Sequence, residues 1–301
     1  MGALLLFSPG ASADQVLVSD PSPDHLSAYA GATAWSRLAG PRYRLVIRSN
    51  GRTEDARVRG FRHPVNADLG PARRRGRTVA VYARCKANKR DCDLFEYSLR
   101  DKRERKLWSI SSRRRSEYAP SVWRGRYLFG RSATGLVKTG PLLRISRRKA
   151  IDTDLQGNSA LYSYAGPNDG ADVRTQRFER RRPGRACLIF QSSVPSAGGS
   201  FQGIGPVAID GDFLFSLFRV FPPAGSGNQF ALYSVERERK PTSRCARRSL
   251  TDRVGIRPQG DDPRHDDVTS FSISRGHLLY TDRGRGVVEV TPPPSFGPVA
   301  R

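Results

Sequence analysis

The chain is poor in the residues that announce most chemistries. Methionine occurs once, at position 1, and the 301 residues hold only four histidines and four cysteines. His25, His63, His265 and His277 show neither an HExxH pattern nor any other short metal-ligand spacing, and they read as surface or turn residues. No G-x-S-x-G pentapeptide occurs. Gly130-Arg-Ser132-Ala-Thr-Gly135 is one residue too long and leads into no helical pattern, which excludes the nucleophile elbow of a serine hydrolase. No window keeps apolar residues at i, i+3, i+4 and i+7 for three turns, so helices are not expected. No segment after the N-terminus has the roughly 18 apolar residues of a membrane-spanning helix. The glycine-rich stretches Ala197 to Ser200 and Ala224 to Gly227 lead into no helix either, so they read as flexible loops rather than phosphate cradles.

What is abundant is arginine, glycine and proline. Basic residues number 52 against 28 acidic ones, a net charge of +24, and only seven of the basic residues are lysine. One reading is attraction to polyanions. The other is a codon bias that scatters arginine over a solvated surface. No interleaving of exposed aromatics with the basic residues marks a nucleic-acid reader. Hydrophobic residues make up 37%, enough for strands with one solvated face, and the 29 glycines and 21 prolines are spread along the chain. That distribution predicts many short strands joined by turns in one all-β domain.

Residues 1–13 resemble a shortened secretion signal, with a small apolar stretch from Ala3 to Phe7 and a small-x-small site at Ala11-Ser-Ala13. The remainder, 14–301, reads as a single domain working outside the cytoplasm, secreted or associated with the periplasm or envelope. The cysteines agree with that placement. Cys85 and Cys92 bracket a polar turn between the apolar runs Thr78 to Tyr82 and Leu94 to Leu99, so a disulfide there would staple a hairpin. Their six-residue gap is wrong for half of a zinc site. Cys187 and Cys245 are either a second pair or buried thiols.

A glycine followed four residues later by a large apolar residue recurs within short strand-like runs. It appears as Gly31 to Trp35, Gly125 to Phe129, Gly157 to Leu161, Gly211 to Phe215 and Gly276 to Tyr280, with a slipped copy from Gly76 to Tyr82. Successive glycines lie 45, 49, 32, 54 and 65 residues apart. Six units of this length predict a six-bladed β-propeller of four-stranded antiparallel blades, each glycine turning between a blade's first two strands. Third and fourth strands are expected at Leu94 to Leu99 with Lys106 to Ser111, Val173 to Phe178 with Ala186 to Gln191, and Ala231 to Val235 with Arg244 to Leu250. The last unit has only three strands, and the leftover run Gln15 to Ser19 is expected to close it.

Tyr118-Ala-Pro-Ser-Val-Trp-Arg-Gly-Arg-Tyr-Leu-Phe129 resembles a blade of the TolB-type, WD40-like propeller family, and Asp93 to Leu99 with Arg100 to Lys106 resembles that family's third strand and outer hairpin. The family's Ser-Pro-Asp-Gly turn is absent. The resemblance implies extracytoplasmic binding through the propeller faces and carries over no catalytic residue.

The expected function is therefore a non-catalytic binding scaffold for another protein or an envelope component, with no cofactor. Two alternatives stand beside it. A propeller enzyme of lactonase or glycan-acting type would need three or more carboxylates converging on the central channel, where the sequence offers scattered residues such as Asp68 and Asp154. An arginine-driven polyanion or envelope binder would use Arg180, Arg181, Arg182, Arg185, Arg103 and Arg105, which fall in or beside turns on one face. The opposite face is expected to receive the acidic loop Asp261, Asp262, Asp266 and Asp267, a candidate calcium loop that also reads as a solvated turn, together with Arg113 to Arg115.

Overall fold

The structure is a computed structural model. It describes residues 14–290, apart from 75, 87–90, 113, 140–142, 167–170, 180–181, 191–199, 222–231, 242–244, 246–251 and 257–267. The regular structure of the described residues is entirely β-strand. A short first strand, β1 (Gln15–Val18), precedes five complete meanders. Blade 1 is β2 (Pro23–Tyr29), β3 (Ala32–Ala39), β4 (Arg42–Ser49) and β5 (Arg52–Asp55). Blade 2 is β6 (Ala67–Pro71), β7 (Thr78–Arg84), β8 (Asp93–Ser98) and β9 (Arg103–Lys106). Blade 3 is β10 (Glu117–Trp123), β11 (Arg126–Arg131), β12 (Gly135–Lys138) and β13 (Leu143–Ser146). Blade 4 is β14 (Ala150–Gln156), β15 (Ser159–Ala165), β16 (Ala171–Glu179) and β17 (Arg182–Phe190). Blade 5 is β18 (Ser200–Asp210), β19 (Phe213–Phe221), β20 (Leu232–Arg239) and β21 (Asp252–Ile256). Blade 6 combines β22 (Phe271–Ser274), β23 (His277–Asp282) and β24 (Gly286–Glu289) with β1 as its outermost strand.

The first strand of each blade packs against the first strands of its two neighbours, β22 against β2 included, so the six sheets close into a ring around a channel. The chain is a six-bladed β-propeller. Blade 6 is sealed by antiparallel pairing of Gln15 with Glu289 and Val16 with Val288, as the leftover N-terminal run predicts.

Local chemistry explains the blades. The inner hairpin turns Ala30-Gly31 and Arg275-Gly276 have positive φ at both residues, 52° and 80° in one and 53° and 80° in the other. That is the backbone of a type I′ turn, whose twist matches the flanking strands and which glycine enters without steric cost. Alternating apolar side chains then meet between blades rather than within one. Trp35 and Val46 of blade 1 pack on Leu279 and Val287 of blade 6, and each other junction holds a comparable buried cluster. Trp35 is fully buried, and its indole N–H is satisfied by Asp20 at 2.8 Å.

Two outer strands differ from the sequence expectation. The fourth strand of blade 2 is Arg103–Lys106 rather than Lys106 to Ser111, and that of blade 5 is Asp252–Ile256 rather than Arg244 to Leu250. An outermost strand packs on one neighbour only, so Arg-Glu-Arg-Lys can pair along Phe95 to Ser98 without an apolar face.

Candidate functional site

The inner strands all run the same way, from an upper face where they begin to a lower face where the glycine turns lie. Each presents backbone N–H groups that no strand of its own blade can accept, and these must find partners. Short polar side chains of the neighbouring inner strand supply them. Ser27 Oγ accepts the N–H of Leu69 at 2.9 Å, and Asp68 Oδ2 accepts that of Val122 at 2.9 Å. Thr153 Oγ1 donates to the Ala119 carbonyl at 2.7 Å. Asp152 Oδ2 and Asp154 Oδ2 accept from Val207 at 3.0 Å and Ile209 at 2.5 Å. Asp210 Oδ2 accepts from Gly276 at 2.8 Å, while Ser270 and Ser272 accept from Leu26 and Ala28 at 2.9 and 2.8 Å. Every blade junction is bridged by such a side-chain-to-backbone bond, the one between blades 3 and 4 through the Ala119 carbonyl rather than an N–H.

The channel is a cavity of 140 Å³ lined by Asp68, Asp152 and Asp154 among others. The three carboxylates lie deep in the molecule yet keep part of their surface open to the channel. Burial pushes all three upward. Asp154 reaches about 7 against the pull of the Ile209 and Leu155 amides; the charge of Asp154 adds to the rise of Asp68. Asp152 rises as well, countered by the Val207 N–H and by Asn66, whose amide reaches it from blade 2 at 3.2 Å. The sequence pointed to Asp68 and Asp154 but not to Asp152. No group of three or more His, Cys, Asp or Glu among the described residues is arranged to hold a metal ion.

A larger groove, of 1040 Å³, opens on the upper face beside the channel mouth. Its floor is the connection from Arg59 to Asn66. The groove is bordered on one side by Ala83 to Lys86 and Asp91 to Asp93 of β7 and β8 and the residues beside them, and on the other by Tyr118, Ala119 and Lys149 to Ile151. Bulges in the inner strands shape the mouth, with His25 and Ala119 at φ of 50° and 44°. Such irregularities re-aim side chains where strands end. Among the groove's cations, Arg84 is held by Glu104 at 2.5 Å and lies over the rings of Phe61 and Phe95, and Lys86 pairs with Asp91 at 3.2 Å. Arg42, Arg59, Arg62 and Lys149 have no carboxylate partner among the described residues.

The structure places most of the residues singled out by sequence. Cys85 and Cys92 are bonded and staple the β7–β8 hairpin, and Cys187 and Cys245 form a second disulfide linking blade 4 to blade 5. Asp261, Asp262, Asp266 and Asp267 lie outside the described residues, as do Arg180 and Arg181. Arg182 begins β17, and Arg185 is exposed on the same strand. Arg103 and Arg105 are on β9, with Arg105 bound to Glu96 at 2.7 Å. Strands β9 and β17 are the outer edges of blades 2 and 4, so blade 3 separates these two sets of arginines. The described upper-face connections carry Arg57, Arg59, Arg62, Arg147, Arg148 and Lys149 beside the expected Arg114 and Arg115.

No family model matches the chain, and no curated protein matches it either. Similarity lies with solved structures. A chain of the nidogen/laminin complex superposes with a TM-score of 0.51 at 9% identity, over 84% of this chain and 86% of that one. Phage phi92 endosialidase does so with a TM-score of 0.51 at 9% identity, over 89% of this chain. This chain spans 63% of the endosialidase chain. At such identity the likeness is one of fold, and it joins a binding pair and an enzyme alike.

Proposed function

We propose that this protein is a non-catalytic binding scaffold that works outside the cytoplasm and takes a negatively charged ligand in the groove of its upper face. The observation that carries this reading is a contrast in how charge is used. Each channel carboxylate has an oxygen committed to a backbone N–H of the neighbouring blade, so the channel acids serve the ring. The groove cations Arg42, Arg59, Arg62 and Lys149 serve no carboxylate among the described residues. The two disulfides suit an oxidising compartment. No described helix is long and apolar enough to cross a membrane.

Retention on a heparin column, a generic polyanion, tests the site. The Arg59→Ser, Arg62→Ser, Lys149→Ser triple variant is expected to elute at lower salt than either wild type or the Arg180→Ser, Arg181→Ser, Arg182→Ser variant. Equal losses from the two triple variants would reduce the groove to general surface charge.

The channel-enzyme reading rests on the three carboxylates Asp68, Asp152 and Asp154 that line the channel, as such an enzyme would need, and on the rise of Asp154 to about 7, which suits a general acid. Its test is Asp154→Asn, since a channel enzyme would lose hydrolysis of lactone or glycoside substrates with that change.

A further inference from the structure

The groove's lining says more about its occupant than its charge alone. The phenyl and phenol rings in the lining, those of Phe61, Phe95 and Tyr118, already carry cations. Arg84 lies 5.1 Å from the Phe61 ring centre and 4.7 Å from that of Phe95, and Lys149 lies 5.6 Å from that of Tyr118. Phe61 and Phe95 are further covered by Tyr82, edge-on and stacked, and Tyr118 lies against Gly130. Besides the imidazoles of His25 and His63, the groove therefore offers no open phenyl, phenol or indole platform among its described residues. Single-stranded nucleic acid needs such a platform for its bases. What the groove offers beside its unpaired cations is aliphatic surface. Pro64, Ala83 and Ala165 border it, and Ile151 stands 44% exposed where the groove meets the channel mouth. An isoleucine held open to water between Lys149 and Asp152 favours a ligand that brings its own apolar group.

Building on the anion-binding role of the groove, we infer that it binds an acidic peptide segment of a partner protein. The peptide's carboxylates meet Arg42, Arg59, Arg62 and Lys149, and an apolar side chain packs against Ile151. The volume of 1040 Å³ suits a short extended peptide rather than a single small anion. The Cys85–Cys92 bond pins the hairpin wall, which lowers the ordering cost of binding.

Fluorescence anisotropy on the full oxidised chain tests this with labelled peptides about eight residues long. One alternates Glu with Leu, a second replaces Glu by Gln, and a third replaces Leu by Ser. Oligogalacturonate serves as an anionic sugar without apolar side chains. The Glu–Leu peptide is expected to bind about tenfold more tightly than either counterpart or the sugar, and more weakly as salt rises. The Arg59→Ser, Arg62→Ser, Lys149→Ser variant should lose about tenfold for it, and Arg114→Ser with Arg115→Ser should lose little. Ile151→Ser should weaken the Glu–Leu peptide and leave the Glu–Ser peptide unchanged. If the sugar or the Glu–Ser peptide binds as tightly through the same three cations, the peptide assignment is overturned while the anion-binding role stands. If the triple variant alters no ligand's affinity, both fall.

Discussion

Asp68 and Val122 are joined across the seam between blades 2 and 3, the aspartate accepting the valine N–H at 2.9 Å from a position facing the channel. The same carboxylate takes the Ser27 hydroxyl of blade 1 at 3.1 Å, so one side chain ties three blades together. Asp68→Ala leaves a buried amide unpaired and is expected to destabilise by about 2–3 kcal/mol. Asp68→Asn keeps an acceptor for Val122 and should cost clearly less. Equal losses in denaturant titrations of the two variants would show that the seam does not depend on that bond.

Close approach at the same seam is tested from its other side. A Cβ on Gly70 would sit 2.2 Å from the Val122 carbonyl oxygen, a backbone atom that cannot swing away. Gly70→Ala should therefore cost more than about 2 kcal/mol by forcing blades 2 and 3 apart. Gly157→Ala, in an open turn at φ 60°, meets nothing within 4 Å and should cost about 1 kcal/mol. Thermal unfolding of the two variants should rank them in that order.

The channel acids give stability a distinctive pH dependence. Asp154 sits at about 7 in the fold against an unfolded value of about 4. Between those values the folded chain holds more protons than the unfolded one, so this group's contribution is fully present below about pH 4 and is lost as pH rises through 7. Glu117, pushed to about 7 by burial against the pull of Arg131, acts in the same direction. Asp154→Asn cannot titrate and can still accept the Ile209 N–H. The gap in melting temperature between variant and wild type should therefore open in the variant's favour, by several degrees on the order of 5, from pH 4 to pH 8. A gap that stays constant across that range would refute the assignment.

The two disulfides should differ in weight. Cys85 and Cys92 are 7 residues apart and Cys187 and Cys245 are 58 apart. On loop entropy the first stabilises by about 2.4 kcal/mol and the second by about 4. Paired Cys→Ser variants should lose stability in that order, and thiol labelling of the native chain should find no reactive cysteine until reductant is added. Early labelling at Cys187 would argue against the inter-blade bond.

Much of this architecture was legible because a propeller repeats its turn chemistry. Gly31, Gly125, Gly157, Gly211 and Gly276 each sit at the same inner hairpin, and the unpaired run at Gln15 needed a home. Strand β9 was placed too late because Arg-Glu-Arg-Lys has no apolar alternation to betray a solvated edge. Asp152 escaped notice because its role depends on a bulge between Ala150 and Thr153 that resets which inner-strand residues face the next blade. The basic groove was harder still. Charge runs such as Arg113 to Arg115 stand out in a sequence, whereas Arg42 opens β4, Arg59 and Arg62 share the β5–β6 connection and Lys149 precedes β14, so only the packing of blade on blade brings them together.

The pairing of Val16 with Val288 also sets an order on how the molecule is made. Strand β1 waits for β24, with all the other described strands between them. Blades 1 to 5 each take all four strands from one contiguous stretch and can assemble as those stretches emerge. Until β22 appears the molecule is an open arc, and until β24 appears β1 lacks its partner. A chain cut short between Ile256 and Gly286 would thus keep five good blades and leave β1 without its partner.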